Sequence, residues 1–532
     1  MQPEIHKYFR GIAEQYNIMP HVRFNSTVET AEWDAENANW LVTITDQHTK
    51  ESYTLRSRAV ISAVGSLSVP NPCQIEGHEN FQGPLFHSAT WDNTFNWSNK
   101  EVVVIGNGCS ATQFVPIMTS RGPKDSPDPV KKLTQFSRQA HFLSERQNPT
   151  YSATFKAAMR YIPLAMRAYR AAIYWDMEKD FAGFDIETGS TVRSDLKKTN
   201  AEYVKAHAPK QYWDHLIPDH EIGCKRKVLD TDYLACLWRN NMTLIPSDPI
   251  ATIESNGIRT RSGTFVPADA IILATGFQTS KLLFPMTIKG QYGTSLEDHW
   301  NETYNGTPQA YLGTMMPGFP NFFTLMGPNT VTGHLSVIYT VECQIEFTLS
   351  LLGPIIAPSR PGLTSLANPA ELLATPSSVA RLLDPVASAP KYVAVKPEAT
   401  EKHTSWLQRE LKKLVWSSGC TSWALDPKTG LNVAMYPQYQ FLFWMRCLFL
   451  VKDDFEFAYE DGRGGKRTMG SLRVGEGWRL LRRLGWTIAL VSVAFGLARR
   501  RRLKIREVKG LFGRVVQEGT EKLSGVFTAL KH

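Results

Sequence analysis

The stretch Val102-Val103-Val104-Ile105-Gly106-Asn107-Gly108-Cys109-Ser110-Ala111-Thr112-Gln113 decides the fold. Four β-branched residues in a row predict a strand buried on both faces of a parallel sheet. Gly106 permits a tight turn, Gly108 lets backbone approach a pyrophosphate, and small Ala111 allows close helix–strand packing. The helix that opens there aims free N–H groups, and the positive end of its dipole, at an anion. The candidate dinucleotide-binding residues are therefore Gly106, Asn107, Gly108, Cys109, Ser110, Ala111 and Gln113. The alternative is a Gly-rich turn between packed elements.

The next strand, Leu133–Phe136, is followed by Ser137-Arg138-Gln139. An NAD site wants an acid there for the ribose hydroxyl. Arg138 instead suits a 2′-phosphate, through charge-assisted and bidentate hydrogen bonds. NADPH is preferred over NADH, with Arg138 and Gln139 as candidate contacts; the alternative for Arg138 is a solvated surface charge.

Around this motif, Trp40–Thr45 and Ala59–Val64 read as strands, and strand signals return at Met242–Ile245, Ala251–Ile253 and Ala270–Ala274. Residues 151–220 have a helical period and little glycine. No internal repeat is visible. Alternating strands and helices give an α/β body. With 532 residues and 42% apolar composition the chain has room for several cored domains. The seven cysteines are odd in number and lack C-x-x-C spacing. This argues against a disulfide scaffold, a zinc site or a redox dithiol, and leaves buried free thiols in a reducing compartment as the expectation. No metal site is expected.

The net charge of +9 belongs to the tail. Residues 461–532 hold 17 Lys/Arg and 5 Asp/Glu, leaving 42 − 45 = −3 for residues 1–460. A nucleic-acid footprint over the body is disfavoured. The apolar run Leu484–Ala498 would reach about 22 Å as a helix, short of a roughly 30 Å hydrocarbon core. Arg482, Arg483 and Arg499–Arg502 flank it, and Ile505, Val508, Phe512, Val515, Leu523, Val526 and Leu530 follow at three-to-four spacing. That pattern over residues 484–530 suits an amphipathic helix on an anionic membrane surface, or a stripe packed on the body. Met1–Tyr8 carries no apolar signal core, so a cytoplasmic location is expected, with membrane contact through the tail.

At residues 81–92 the chain reads Phe81, Gly83, His87, Trp91, Asp92 in F-x-G-x-x-x-H-x-x-x-W-D spacing. This resembles the fingerprint of type I Baeyer–Villiger monooxygenases, which use FAD, NADPH and O₂ to insert oxygen beside a ketone. Ala63–Pro70 and Ala274–Phe277 resemble that family's two interdomain linkers, and Gly223-Cys224-Lys225-Arg226 its catalytic segment. Tyr311–Thr314 and Gly327–Thr330 are similar to late flavin-domain segments; Cys420–Trp423 with Tyr436-Pro437 resembles a C-terminal motif of fungal-type members. The resemblance covers about residues 1–450.

It implies a Rossmann-like flavoprotein with two dinucleotide-binding domains. Residues 1–70 would be part of the FAD domain, 71–150 and 221–272 the NADP domain, and 151–220 a helical insert that helps cap the site. Residues 273–455 would complete the FAD domain and C-terminal region, and 456–532 form the basic amphipathic tail. Val28 and Val337 would lie against the flavin, though both equally suit a core, and Gly333-His334 would lie near it. Lys225 would reach the NADPH 2′-phosphate. Arg226 would be catalytic: a guanidinium does not deprotonate near neutral pH, so it offers a permanent charge to an anionic oxidant and to the oxyanion it forms. Losing such a donor costs on the order of 3–4 kcal/mol of barrier. The alternative is a solvated Lys225-Arg226-Lys227 run. His87 reads as a hinge or packing residue.

One departure stands out. Family members open with a strand and a G-x-G-x-x-G turn for the FAD pyrophosphate; no such unit is expected here, Met1–Ile5 aligning, on the resemblance, to a point downstream of it. About a hundred residues of that type are missing on the resemblance. Either the true start lies upstream, which the intact downstream motifs favour, or the chain is a truncated relative that cannot hold FAD. The rival functions are an N- or S-oxidising flavin monooxygenase, against which Trp91-Asp92 argues, and an inactive NADP-binding remnant. The expected substrate is a small-molecule ketone, with secondary metabolism as its source by analogy with fungal-type members.

Overall fold

The computed structural model describes residues 2–122, 127–146, 148–279, 281–356, 390–419, 423–426 and 428–459. The tail beyond 460 and Cys420–Ser422 lie outside the described residues, and with them the expectations placed there. The chain divides into two compact units; residues 1–145 with 181–464 form the first, and residues 146–180 fall in the second.

Within the first unit the quoted run forms the strand Glu101–Ile105, the middle of a five-stranded sheet. Its order is Met242–Pro246, Lys132–Ser137, Glu101–Ile105, Ala270–Leu273, Leu85–His87, and every pairing is parallel. Both faces are covered. Val102, Val104, Leu133 and Ile272 pack toward Ala111, Val115, Val204 and Leu234 on helices. Val103, Phe136, Ile271 and Leu273 pack toward Ile253, Ile258 and Val266, from the antiparallel strands Ile250–Glu254, Gly257–Thr260 and Phe265–Pro267. That is why the run is uniformly apolar instead of alternating. The chain steps outward from Glu101–Ile105 on one side, then returns through Ala270–Leu273 on the other. The carboxyl ends of these two strands therefore meet at a topological switch point, where open α/β sheets bind ligands.

The expected helical stretch is present, in pieces with different roles. Ser190–His207 contributes Val204 to the core just described, followed by Ala208, Tyr212 and Leu216. In the second unit, Ala153–Tyr161 is capped by Ser152 Oγ, which accepts from Phe155 N–H at 3.1 Å, and precedes helix Ala165–Glu178. Tyr151 stacks on Phe155 at 4.8 Å.

The rest of the first unit has a meander, Ser26–Asp34, Asn39–Asp46 and Ser52–Ser57, with Thr287–Lys289 added in parallel to its first strand. Trp33, Trp40, Ile288, Trp300 and Phe322 form its core, and Trp40 Nε1 donates to the Pro320 carbonyl at 2.9 Å. Val60–Ser62 pairs in parallel with Phe322–Thr324 as a two-stranded strip. The apolar helix Val337–Ile356 is fixed to this strip by Gln344, whose Oε1 accepts from Met326 N–H at 2.9 Å and whose Nε2 donates to Thr314 Oγ1 at 2.8 Å. Among the described residues no helix is long and apolar enough to cross a membrane.

The two linker-like segments cross between these regions as an antiparallel pair. Asn71 N–H donates to Gly276 O at 2.9 Å, and Gln278 N–H to Val69 O at 2.8 Å. Pro70 bridges Phe277.

Candidate active site

Gly106 follows the middle strand with φ +113°, a conformation only glycine adopts freely. Its N–H donates to Phe136 O at 3.0 Å. A Cβ here would lie 2.4 Å from the Ala274 carbonyl, so the glycine also allows the two strand ends to close at the switch point. Gly108 is different: a Cβ would meet nothing within 4 Å. It borders open space, as a backbone approached by a ligand requires. Ser110 is the N-cap of helix Ala111–Met118 without making a side-chain cap bond. Ala111 is fully buried, while Cys109 and Gln113 are exposed; Gln113 Nε2 returns to Cys109 O at 2.7 Å.

Asn107 is buried and reaches across to the next strand, Nδ2 donating to Gln139 O at 2.8 Å. The Gln139 side chain in turn accepts a hydrogen bond from Lys225 Nζ. The structure thus brings Gly106, Asn107, Gln139 and Lys225 into one chain of contacts, although Lys225 is far off in sequence. Burial lowers the Lys225 pKa, and the Arg138 guanidinium lowers it further against the opposing pull of Asp219. Arg138 itself is exposed. Two cations so placed beside a glycine turn are an arrangement that could hold an anion. His141 adds to this pocket as a neutral ring. Burial first, then the Lys225 and His220 charges, pushes its pKa down to about 4.

Arg226 is exposed and, among the described residues, has no ion-pair or hydrogen-bond partner. The segment carrying it is nevertheless well placed. Gly223 has φ +94°, and a Cβ there would come 2.6 Å from Phe184. Phe184 meets His334 at 5.7 Å and Trp416 at 4.9 Å between ring centroids. The Lys225-Arg226 segment therefore stands between the glycine turn and the Gly333-His334 region. Cys224 is disulfide-bonded, which corrects the expectation of free thiols throughout. Its neighbour in sequence, Cys236, is free, as are Cys73, Cys109, Cys343 and Cys447. Spacing rules that look for nearby partners do not see such a bond.

On the flavin-like side, Val28 sits on the Ser26–Asp34 strand opposite Ile44, next to a register shift. Val337 opens helix Val337–Ile356. The structure does not join these two valines to the Lys225 cluster by any direct contact. Gly65 of the first linker lines a cavity with Leu282, Trp300, Met316, Gly327 and Pro328. Gly313 and Gly327 pack backbone to backbone, a Cβ on Gly327 falling 2.3 Å from Gly313 O, so the two late segments form one buried platform.

A Baeyer–Villiger monooxygenase of Pseudomonas aeruginosa is 31% identical over 448 residues, covering 83% of this chain and 75% of that protein. The chain belongs to the Baeyer–Villiger monooxygenase family. An FAD-binding monooxygenase of Aspergillus niger, ktnD, is 32% identical over 66% of this chain and 56% of its own length. The fold is that of the solved OTEMO complex with FAD and NADP, at TM-score 0.66 and 22% identity, over 86% of this chain and 85% of that one. The family described as L-lysine 6-monooxygenase/L-ornithine 5-monooxygenase matches residues 1–168.

In this member of the Baeyer–Villiger monooxygenase family the fingerprint residues are structural supports. Trp91 packs edge-on against Phe114 at 5.3 Å and Phe86 at 5.4 Å, bracing the helix that follows the glycine turn. Asp92 accepts from Thr94 N–H and Oγ1–H at 2.8 and 2.6 Å, closing a local turn. His87 is buried, its Nδ1 accepting from Ala89 N–H at 3.1 Å and its ring meeting Phe277 of the second linker at 5.6 Å.

Sequence reasoning missed Gln135. It is fully buried, its Nε2 donating to Gly106 O at 2.8 Å and its Oε1 accepting from Tyr233 Oη at 2.8 Å. The Nε2 end holds the glycine turn, and Tyr233 fixes the other end of the amide. A lone Gln in the apolar run Leu133-Thr134-Gln135-Phe136 was the available signal. His141 had none, because its neighbours come from distant parts of the chain.

Proposed function

We propose that this chain is an FAD- and NADPH-dependent Baeyer–Villiger monooxygenase, converting a small-molecule ketone, NADPH, a proton and O₂ to an ester or lactone, NADP⁺ and water. The observation that carries the reading is the contact chain from Gly106 through Asn107 and Gln139 to Lys225, which supports a role for the Lys-Arg segment beside the glycine turn. Family membership and the FAD- and NADP-bound structural neighbour support the cofactors.

The residues present fit NADPH. Gly106–Ser110 would cradle its pyrophosphate, with Gly108 leaving room and the helix start offering N–H groups. Arg138 and Lys225 would take the 2′-phosphate, an anion that relieves the repulsion between them. For FAD, Val28, Val337 and the platform of Tyr311–Thr314 with Gly327–Thr330 would supply one wall. Val64 and Leu67 beside Gly65, and Ile338 beside Val337, are exposed apolar side chains suited to a flat ring. Reduced by NADPH, the bound flavin would activate O₂. Arg226, without a partner among the described residues, would hold negative charge on the reacting oxygen and on the tetrahedral oxyanion of the ketone adduct. Asn107 and Gln139 orient the site, and Phe184 with Trp416 screens the Gly223 side from water.

The test is product analysis. Flavin-loaded protein is incubated with NADPH, air and a panel of cyclic and linear ketones, and products are identified by mass spectrometry. An ester or lactone carrying one atom of ¹⁸O from ¹⁸O₂ supports the reading. Oxidation of amines or thioethers with every ketone untouched contradicts it. The match of residues 1–168 to lysine and ornithine monooxygenases supports a second reading, an amine substrate, so L-lysine and L-ornithine belong in the same panel.

Two finer points complete the proposal. The similarity to fungal-type members supports a ketone of secondary metabolism. The basic, apolar-periodic residues 484–530 support a cytoplasmic protein that touches anionic membrane. Sedimentation of the full chain with phosphatidylserine vesicles, lost in high salt, is the expected result; no sedimentation would contradict it.

A further inference from the structure

Arg193, on helix Ser190–His207, is buried and plays no part in the site described above. Its guanidinium serves four acceptors on two separate segments. Nε donates to Glu221 Oε2 at 2.8 Å. Nη1 donates to Gly183 O at 3.1 Å and to Asp185 O, and Nη2 to Ile186 O at 2.8 Å. Lys197, one turn along the same helix, donates from Nζ to Glu221 Oε1 at 2.6 Å. Glu221 is thus gripped by two cations of one helix. A buried cation is tolerated only when so fully paired, and only the planar fork of arginine reaches four acceptors at once.

Both segments lead to the active site. Glu221 begins the turn that contains Gly223, Lys225 and Arg226. The loop Gly183–Ile186 carries Phe184, the ring against which Gly223 is seated. That loop is anchored on its other side, Ile186 N–H donating to Lys413 O at 2.9 Å and Asp185 bridging Leu414.

We propose that Arg193 is a positioning residue: by tying the Gly183–Ile186 loop to Glu221 it fixes where Lys225 and Arg226 stand relative to the glycine turn. The inference rests on the reading of Lys225 as the contact to the NADPH 2′-phosphate.

Binding separates this role from a merely structural one. The Kd values for NADP⁺ and NAD⁺ are measured by calorimetry on the full chain, for wild type, Lys225→Met, Arg193→Met, Arg193→Lys and Glu221→Gln, each with its thermal midpoint. Wild type should prefer NADP⁺, and Lys225→Met should lose that preference. Arg193→Met should weaken NADP⁺ binding about tenfold, the loss of one charge-assisted hydrogen bond, with NAD⁺ binding unchanged. Arg193→Lys should not restore it, because an ammonium cannot serve the three carbonyls. If Arg193→Met does not fold, Glu221→Gln carries the same expectation. An unchanged NADP⁺/NAD⁺ ratio in the folded Arg193 and Glu221 variants, or equal losses for both nucleotides, overturns the proposal while leaving the Lys225 reading intact. A wild type without preference, matched by Lys225→Met, overturns the Lys225 reading and this inference together.

Discussion

Two regions of the first unit support their parallel strands in opposite ways. On the NADP-like side five parallel strands are buried on both faces, and Ile272 of the inner strand has no exposed surface. On the flavin-like side the parallel pairings are short, Val60–Ser62 with Phe322–Thr324 and Ser26–Asp34 with Thr287–Lys289, and Ile61 is 45% exposed. Val64, Leu67, Ile5 and Phe9 are exposed as well. Each is apolar surface that stays in water unless something covers it. The comparison teaches that the NADP-like turn is held by its own sheet, whereas the flavin-like wall depends on what covers it.

The sharpest way to break the comparison is a matched truncation. Ile272→Ala should destabilise by about 2–5 kcal/mol, through lost burial and a residual cavity. Ile61→Ala should stay within about 0.5 kcal/mol, as exposed substitutions do. Urea unfolding of both variants checks this, and equal losses would refute the contrast. Next in size, Gly106→Ala places a Cβ against the Ala274 carbonyl at positive φ, a strain of about 1–3 kcal/mol. It should cost NADP⁺ binding at least as much, whereas Gly108→Ala, facing open space, should fold normally and lose binding only by intruding on the ligand. Calorimetric titration with NADP⁺ alongside thermal melting separates the two.

A smaller effect follows from pH. An ordinary lysine titrates near pH 10.4. Burial and Arg138 lower the Lys225 value, so Lys225 loses its charge at a lower pH than a free lysine. Only the charged form attracts a 2′-phosphate. NADP⁺ affinity should therefore fall as pH rises through that lowered value, while NAD⁺ affinity, which does not use Lys225, stays level. The nearby His141 does not confuse this window, since it is already neutral above about pH 4. An NADP⁺ profile as flat as that of Lys225→Met would contradict the assignment.

Much of the architecture was legible in the residues. The Val102–Ile105 run announced a doubly covered strand, and Gly106, Gly108 and Ala111 meet three different surroundings, a carbonyl, open space and a packed core. What escaped were contacts that only the tertiary fold creates. Gln135 serves Gly106 from a neighbouring strand, Arg193 serves a turn twenty-eight positions on, and the Cys224 disulfide has no local signal. Trp91 and His87 were readable as a family signature, but their work as braces on a helix and a linker depends on Phe114 and Phe277, which lie far away in sequence.

The proposed role of Arg226, exposed and without a partner among the described residues, is to hold the negative charge that develops during oxygen insertion. It is tested most directly by comparing wild type and Arg226→Ala, both loaded with FAD, for NADPH consumption and ester yield from the same ketone. The account predicts that the variant still oxidises NADPH while ester formation falls by on the order of 10²–10³-fold. Ester formation at the wild-type rate in Arg226→Ala would contradict it.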